Sequence, residues 1–211
     1  MKLILLGAPG AGKGTQAEIL SQRFGIPTIS TGNLLRAAIK DGTSEEDLLA
    51  KELIERGELV PDDIVIDIVK ERLVEDDCKN GYILDGMPRT LRQADALVEH
   101  GIDIDCALAI ETNDEDIVAR LSGRRTCLDC GATYHMINNP PKTEGKCDHC
   151  GAELVIRRDD KPETIRARLA TYHAMSEPLK EYYAKRNLLR TVDGTHGIED
   201  TTEAIVKALE I

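Results

Sequence analysis

Nine consecutive residues, Gly7-Ala8-Pro9-Gly10-Ala11-Gly12-Lys13-Gly14-Thr15, limit most sharply what this chain can fold into. A near-continuous apolar run, Lys2 to Leu6, comes before them. From Lys13 onward, apolar residues recur at helical spacing through Ala17, Leu20 and Phe24. Strand, glycine-rich turn and helix together are the setting of a phosphate-binding loop. Glycines let consecutive backbone N–H groups turn inward and approach an anion closely. The helix adds the positive end of its dipole, and Lys13 adds a mobile full charge. The strict motif has Ser or Thr directly after the lysine. Here Gly14 intervenes, which makes its N–H a further phosphate donor and puts Thr15 Oγ near metal-bound phosphates. A glycine turn with an incidental lysine has no need of a strand before it and a helix after it.

The rest of the chain reads as more of the same architecture. Tyr82-Ile83-Leu84 and Cys106 to Ile110 are short buried strands, followed by helices over about Arg89–His100 and Asn113–Leu121. Residues 32–56 read as two helical pieces broken at Asp41-Gly42, with Thr43 and Glu46 fitting a capping box and Gly57 a helix end. A change of pattern starts at Ile29–Thr31, and Pro61 opens the next helix. Helical spacing runs without a break from Pro162 through Tyr183, before a last strand, Leu188–Val192, and a closing helix, Thr201–Leu209. Alternating strands and helices predict a parallel α/β sheet. The pattern stops between 123 and 160, a stretch rich in turn residues that holds four cysteines. These observations predict a core of 1–29, 61–122 and 161–211 with insertions at 30–60 and 123–160.

Composition narrows the function. A formal charge of −11 argues against a surface built for nucleic-acid backbones. Phosphate must then be bound in a locally basic pocket where some of the 27 lysines and arginines converge. One Phe, five Tyr and no Trp leave an aliphatic core. No apolar run approaches the roughly 20 residues of a membrane helix, and the short apolar N-terminus reads as a strand rather than a signal peptide. The cytoplasm is the expected compartment.

Cys127-x2-Cys130 and Cys147-x2-Cys150, 16 residues apart, form a four-thiolate zinc signature. Four ligands close the tetrahedron, so the site is expected to be structural. Iron also suits four thiolates, and two disulfides are disfavoured by compartment. His135 and His149 read as surface histidines. Cys78 and Cys106 read as small buried hydrophobes without partners. Residues 123–160 carry six Lys/Arg and six Asp/Glu, which is not the charge of a nucleic-acid module. A water-excluding lid stapled by metal is the better reading.

Several further motifs, in order along the whole chain, resemble the adenylate kinase family, in its long-lid, zinc-binding form. Ser30-Thr31-Gly32-Asn33-Leu34-Leu35-Arg36 is similar to the AMP-site motif, with Asn33 where Asp is frequent. Leu84-Asp85-Gly86-Met87-Pro88-Arg89-Thr90 is similar to the second motif, with Gln93 in register and Met87 where Phe or Tyr is frequent. Asp159-Asp160 and Arg166–Arg168 match the segment closing the lid. Asp193-Gly194-Thr195 matches the stretch along the ATP base, though His196-Gly197 after it is unusual.

The resemblance implies reversible phosphoryl transfer from Mg-ATP to AMP, giving two ADP, by a monomer that uses Mg²⁺ and carries structural Zn²⁺. It implies an ATP site of Gly10, Ala11, Gly12, Lys13, Gly14, Thr15, Arg120, Arg124, Thr133, Tyr134 and His196. It implies an AMP site of Thr31, Arg36, Glu58, Leu59, Val60, Gly86, Met87, Pro88, Arg89 and Gln93. Arg157 and Arg168 would bridge toward the AMP phosphate. Residues 30–60 would be the AMP-binding insertion and 123–160 the lid. The nucleophile, a phosphate oxygen of AMP, is already ionised near neutral pH and needs no general base. Catalysis then rests on alignment and charge neutralisation by Lys13, Arg36, Arg89, Arg124, Arg157 and Arg168. Asp85 is expected behind magnesium-bound water, and Asp159 is expected to orient the lid arginines. Arg125, Arg158 and Arg166 read as surface charge. GTP as donor, another monophosphate as acceptor, or a regulatory phosphate-loop protein remain open alternatives.

Overall fold

A computed structural model of the chain describes residues 1–40 and 45–209. The first half runs β1 (Lys2–Leu6), α1 (Lys13–Phe24), β2 (Thr28–Ser30), α2 (Thr31–Lys40), α3 (Glu45–Arg56), α4 (Asp62–Leu73), β3 (Tyr82–Asp85) and α5 (Leu91–Glu99). Next come β4 (Cys106–Glu111), α6 (Asp114–Ser122), β5 (Arg124–Cys127), β6 (Thr133–His135) and β7 (Leu154–Val155). The chain closes with α7 (Pro162–Thr171), a π-helical turn (Tyr172–Ser176), α8 (Pro178–Ala184), β8 (Leu189–Asp193) and α9 (Ile198–Ala208). Five parallel strands form one sheet in the order β2-β3-β1-β4-β8, and β6-β5-β7 form a small antiparallel sheet. Among the described residues no helix is long and apolar enough to cross a membrane.

Side chains along a strand alternate between faces, so a parallel sheet with helices on both sides needs apolar residues at every position. β1 satisfies this. Ile4 and Leu6 join Leu84, Val69 and Leu97 in one core, while Leu3 and Leu5 join Ile83, Leu20 and Ile205 in the other. The two cores hold the strand ends rigidly, and the loops that follow β1, β3, β4 and β8 emerge on one edge. Gly10 shows how tight that edge is. Its φ is 90°, and a Cβ there would sit 2.9 Å from Leu121 Cγ, so a side chain would be both strained and obstructed.

The structure corrects several boundaries. β2 is a three-residue edge strand pairing Ile29 with Leu84, too short to show period-two alternation in sequence. α5 starts at Leu91 rather than Arg89, because Thr90 caps it by accepting the Gln93 N–H. α9 starts earlier, at Ile198, where Glu199 and Asp200 suit the helix dipole although they interrupt the apolar period. The capping box expected at Thr43–Glu46 lies outside the described residues. Cys78 is buried but partnered, since Arg72 Nη1 donates to its sulfur at 3.0 Å, and Cys106 is only half-buried.

The uninterrupted helix expected over 162–183 is broken by the π-turn. Its His173 is clasped by Glu177, with Nδ1 to Oε2 at 3.0 Å, and by Asp114, with Nε2 to Oδ1 at 3.2 Å. The Glu177 contact, seconded by Asp114, raises the His173 pKa above the ordinary 6.5 against the smaller effect of burial. A raised folded-state pKa stabilises fully below the unfolded value and is lost as pH climbs through the folded one. The gap in unfolding free energy between parent and His173→Gln should therefore be full below the ordinary 6.5 and shrink as pH rises above it. The difference should stay under about 1 kcal/mol because the pair is solvent-screened. Urea titrations on both sides of that value check this, and a pH-independent gap rejects it.

Candidate active site

The strand-end loops open into a cleft of about 1100 Å³. That exceeds the roughly 300–1,000 Å³ of an ordinary single-ligand pocket. Gly10 to Thr15, Arg120, Arg124, Thr133, Tyr134 and His196 line it, and so do Thr31, Arg36, Glu58, Leu59, Val60, Asp85, Gly86, Pro88, Arg89, Gln93, Arg157 and Arg168. Met87 does not. Its side chain is 1% exposed and packs in the core, as a flexible thioether following a buried strand does.

The glycine loop turns from β1 into α1, and Lys13 folds back over it. Lys13 Nζ donates to the carbonyls of Gly7 at 2.7 Å and Ala8 at 2.9 Å. Burial lowers its pKa to about 8. Asp85 opposes this, and Arg89, Arg168 and Arg124 push it further down.

Around that lysine the guanidinium groups crowd together. Burial, with neighbouring cations, brings Arg36 down to about 10 and Arg157 to about 9. A guanidinium remains charged at those values. Burial is the larger cause and the neighbouring cations add to it, so an incoming polyanion would favour the charged forms. Arg157 Nε is buried without a hydrogen-bond partner among the described residues.

Two neighbouring carboxylates keep the cluster in place. Arg124 grips Asp160 through Nε at 2.8 Å and again through Nη2. Arg168 Nη1 reaches the same Asp160 at 3.0 Å and Asp159 Oδ2 at 3.1 Å. The Asp160 side chain is 0% exposed. Burial would raise the Asp159 pKa, but Arg168 and then Arg157 outweigh it and hold it low. Elsewhere, Arg36 Nη2 donates to Asn33 Oδ1 at 2.8 Å, Arg89 Nε to Gly86 O at 2.8 Å, and Arg120 Nη2 to Gly194 O at 2.6 Å. Gln93 spends one amide proton on Asp62 Oδ1 at 2.7 Å and accepts the Arg89 N–H at 2.7 Å. One N–H and one lone pair of that amide are left for a ligand.

The four cysteine sulfurs lie within 4.8 Å of one another. Cys127 to Cys150 is 3.4 Å and Cys130 to Cys147 is 3.5 Å, too far for disulfides. Tetrahedral zinc with bonds of about 2.3 Å separates its sulfurs by about 3.8 Å, so this cage fits that ion. Tyr134 faces the cleft, but its hydroxyl is turned toward the cage, 3.6 Å from Cys147 Sγ, and accepts the Asp148 N–H at 2.8 Å. Gly131, following the first cysteine pair, has φ 79°, and a Cβ on it would sit 2.7 Å from Asn33 Nδ2. The metal knuckle therefore rests against α2. Arg158, 73% exposed as expected of surface charge, nonetheless pairs with Glu55 of α3 at 2.8 Å.

His135 is not a surface histidine. It is half-buried against Gly123, its Nδ1 accepts the backbone N–H groups of Ile137 and Asn138, and burial lowers its pKa. Sequence reasoning also passed over Gln16, which is 2% exposed and joins α1 to α9 through Ile198 O and Thr202. It passed over Tyr172 and Ser176 on the cleft wall as well. Their helical spacing continues that of α7, so no local signal marked them.

Comparison with known proteins agrees with the geometry. A model of the adenylate kinase family matches residues 5–188. An adenylate kinase of Caldicellulosiruptor saccharolyticus is 56% identical over 215 residues, covering 100% of both chains. Those of Agathobacter rectalis and Acetivibrio thermocellus are each 53% identical over 213 residues, covering 98–99% of every chain. A glycine loop facing a crowd of guanidinium groups across a large cleft, in a sequence related along its full length to these enzymes, is decisive: the chain belongs to the adenylate kinase family.

Proposed function

We propose that the cleft transfers the terminal phosphoryl group of Mg-ATP to AMP, reversibly, giving two ADP. The observation that carries this reading is the convergence of Lys13 with Arg36, Arg89, Arg124, Arg157 and Arg168 on one cavity in a chain of charge −11.

ATP lies on the glycine-loop side. The amides of Gly10 to Thr15 and Lys13 hold its phosphates, with Arg120, Thr133, Tyr134 and His196 toward the base. AMP lies between α2 and the loop after β3. Its base meets the free N–H and lone pair of Gln93, and its phosphate meets Arg36 and Arg89. Arg124, Arg157 and Arg168 reach the transferring group. An AMP oxygen attacks in line, one P–O bond forms as the bond to the departing ADP breaks, and the arginines offset charge shared by both. Thr15 and Asp85 offer the hard oxygen ligands that magnesium prefers, Asp85 through water, and the ion would neutralise phosphate charge. Cys127, Cys130, Cys147 and Cys150 would hold zinc, and that cross-link would brace residues 123–160 as a lid that excludes water. The free thiols suit the reducing cytoplasm.

Product analysis with ATP, Mg²⁺ and AMP should return two ADP per event and run backward from ADP. Substituting GMP, UMP or CMP should sharply reduce the rate. Slow ATP hydrolysis unaffected by AMP would refute the assignment.

A further inference from the structure

The roles assigned above leave the π-turn Tyr172–Ser176 without a function beyond its His173 clasp. A π-turn is rare and tends to occur at functional sites. Here Glu177 N–H donates to Tyr172 O at 2.9 Å, five residues back. The wider loop brings Ser176 round to the cleft wall, where its Oγ donates to the carbonyl of Arg89 at 2.8 Å.

Arg89 needs such a hold. It sits between β3 and α5, two residues before the helix starts. Its N–H goes to Gln93 Oε1 and its Nε to Gly86 O. Gln93 therefore secures one side of the residue and Ser176 the other. The Ser176 hydroxyl has one proton, and that proton is on the Arg89 carbonyl. The serine therefore acts through the arginine. The turn is itself anchored by His173, whose Nε2 lies 3.2 Å from the Asp114 carboxylate at the start of α6.

We infer that Ser176 is a positioning residue for Arg89 and that the π-turn serves to deliver its hydroxyl. This rests on the reading that places Arg89 at the AMP phosphate. The experiment uses the full-length protein as parent, Ser176→Ala, Ser176→Thr, Arg89→Ala and the Ser176→Ala/Arg89→Ala double variant. Initial rates are recorded with AMP varied at saturating Mg-ATP and with Mg-ATP varied at saturating AMP, beside thermal melts.

Loss of one hydrogen bond should raise the KM for AMP about three- to tenfold in Ser176→Ala. The KM for ATP should stay within about twofold and Tm within about 2 °C, and threonine should restore the parental values. In the Arg89→Ala background the serine substitution should add nothing, as expected of residues that act as one unit. A parental KM for AMP in Ser176→Ala overturns the inference. So does an equal rise in both KM values, a failed threonine rescue, or an additive effect in the double variant. The prior reading fails separately, if Arg89→Ala alone keeps parental kinetics. An impaired Arg89→Ala beside a silent Ser176→Ala sinks only the inference about Ser176.

Discussion

Arg89→Ala is expected to lower turnover by about 10³-fold, the scale on which single arginines act in phosphoryl transfer. The fold should not suffer. Arg89 is one of the cations that depress the Lys13 pKa, and burial lowers its own. Removing one charge from mutually repelling neighbours relieves strain, so Tm should hold or rise slightly. A coupled ADP assay and a thermal melt on the same preparation check both halves. Parental turnover would remove Arg89 from the site, while a large fall in Tm would mean the loss of activity is only a loss of structure.

The second large effect concerns the metal. Chelation should lower Tm by at least about 5 °C, equivalent to about 2 kcal/mol in a chain of this size. The reason is the scale of the local core: Cys127, Tyr134 and Cys147, padded by Ala132, Ala152 and Leu154. Two ligands make up most of that cluster, so without the ion little apolar burial holds β5, β6 and β7 together. Hydrogen exchange should accelerate first in residues 124–155, and Cys147→Ser should behave the same way. With the chelator then removed and Mg²⁺ restored in excess, part of the activity should survive at low temperature, because the cage ligands Cys127, Cys130, Cys147 and Cys150 include no residue of the phosphate loop. Complete loss of chemistry under saturating Mg²⁺ would instead indicate that the metal in the cage is catalytic.

Legibility in the sequence followed the range of the interactions. The glycine loop and the cysteine pairs could be read directly, because each depends on spacing within a few residues. The inner strands β1, β3 and β4 could be read for the same reason, since burial on both faces leaves a near-continuous apolar run. β2 could not, because three residues carry no period and its place is set by pairing with β3. The start of α5 depended on the choice between Thr90 and Arg89 as boundary, which a capping hydrogen bond decided. The arginines were legible only through family motifs, since an isolated Arg carries no local signature. What could not be read at all was pairwise and distant: Ser176 to Arg89, 87 residues apart, or Gln16 to Ile198, 182 apart.

The sharing of Asp160 between Arg124 and Arg168 has a consequence for the catalytic cycle. Arg124 belongs to the small sheet and Arg168 to a helix of the core, and one dry carboxylate neutralises half of their combined charge. Between turnovers it is a resident substitute for the absent phosphate. Together with Asp159, which also bonds Arg168, it holds both side chains in place. On the proposed function, an arriving nucleotide would meet a constellation already assembled and would compete with these two built-in carboxylates. On that reading, the carboxylate would take back its two partners as product leaves, easing release that the arginines would otherwise slow.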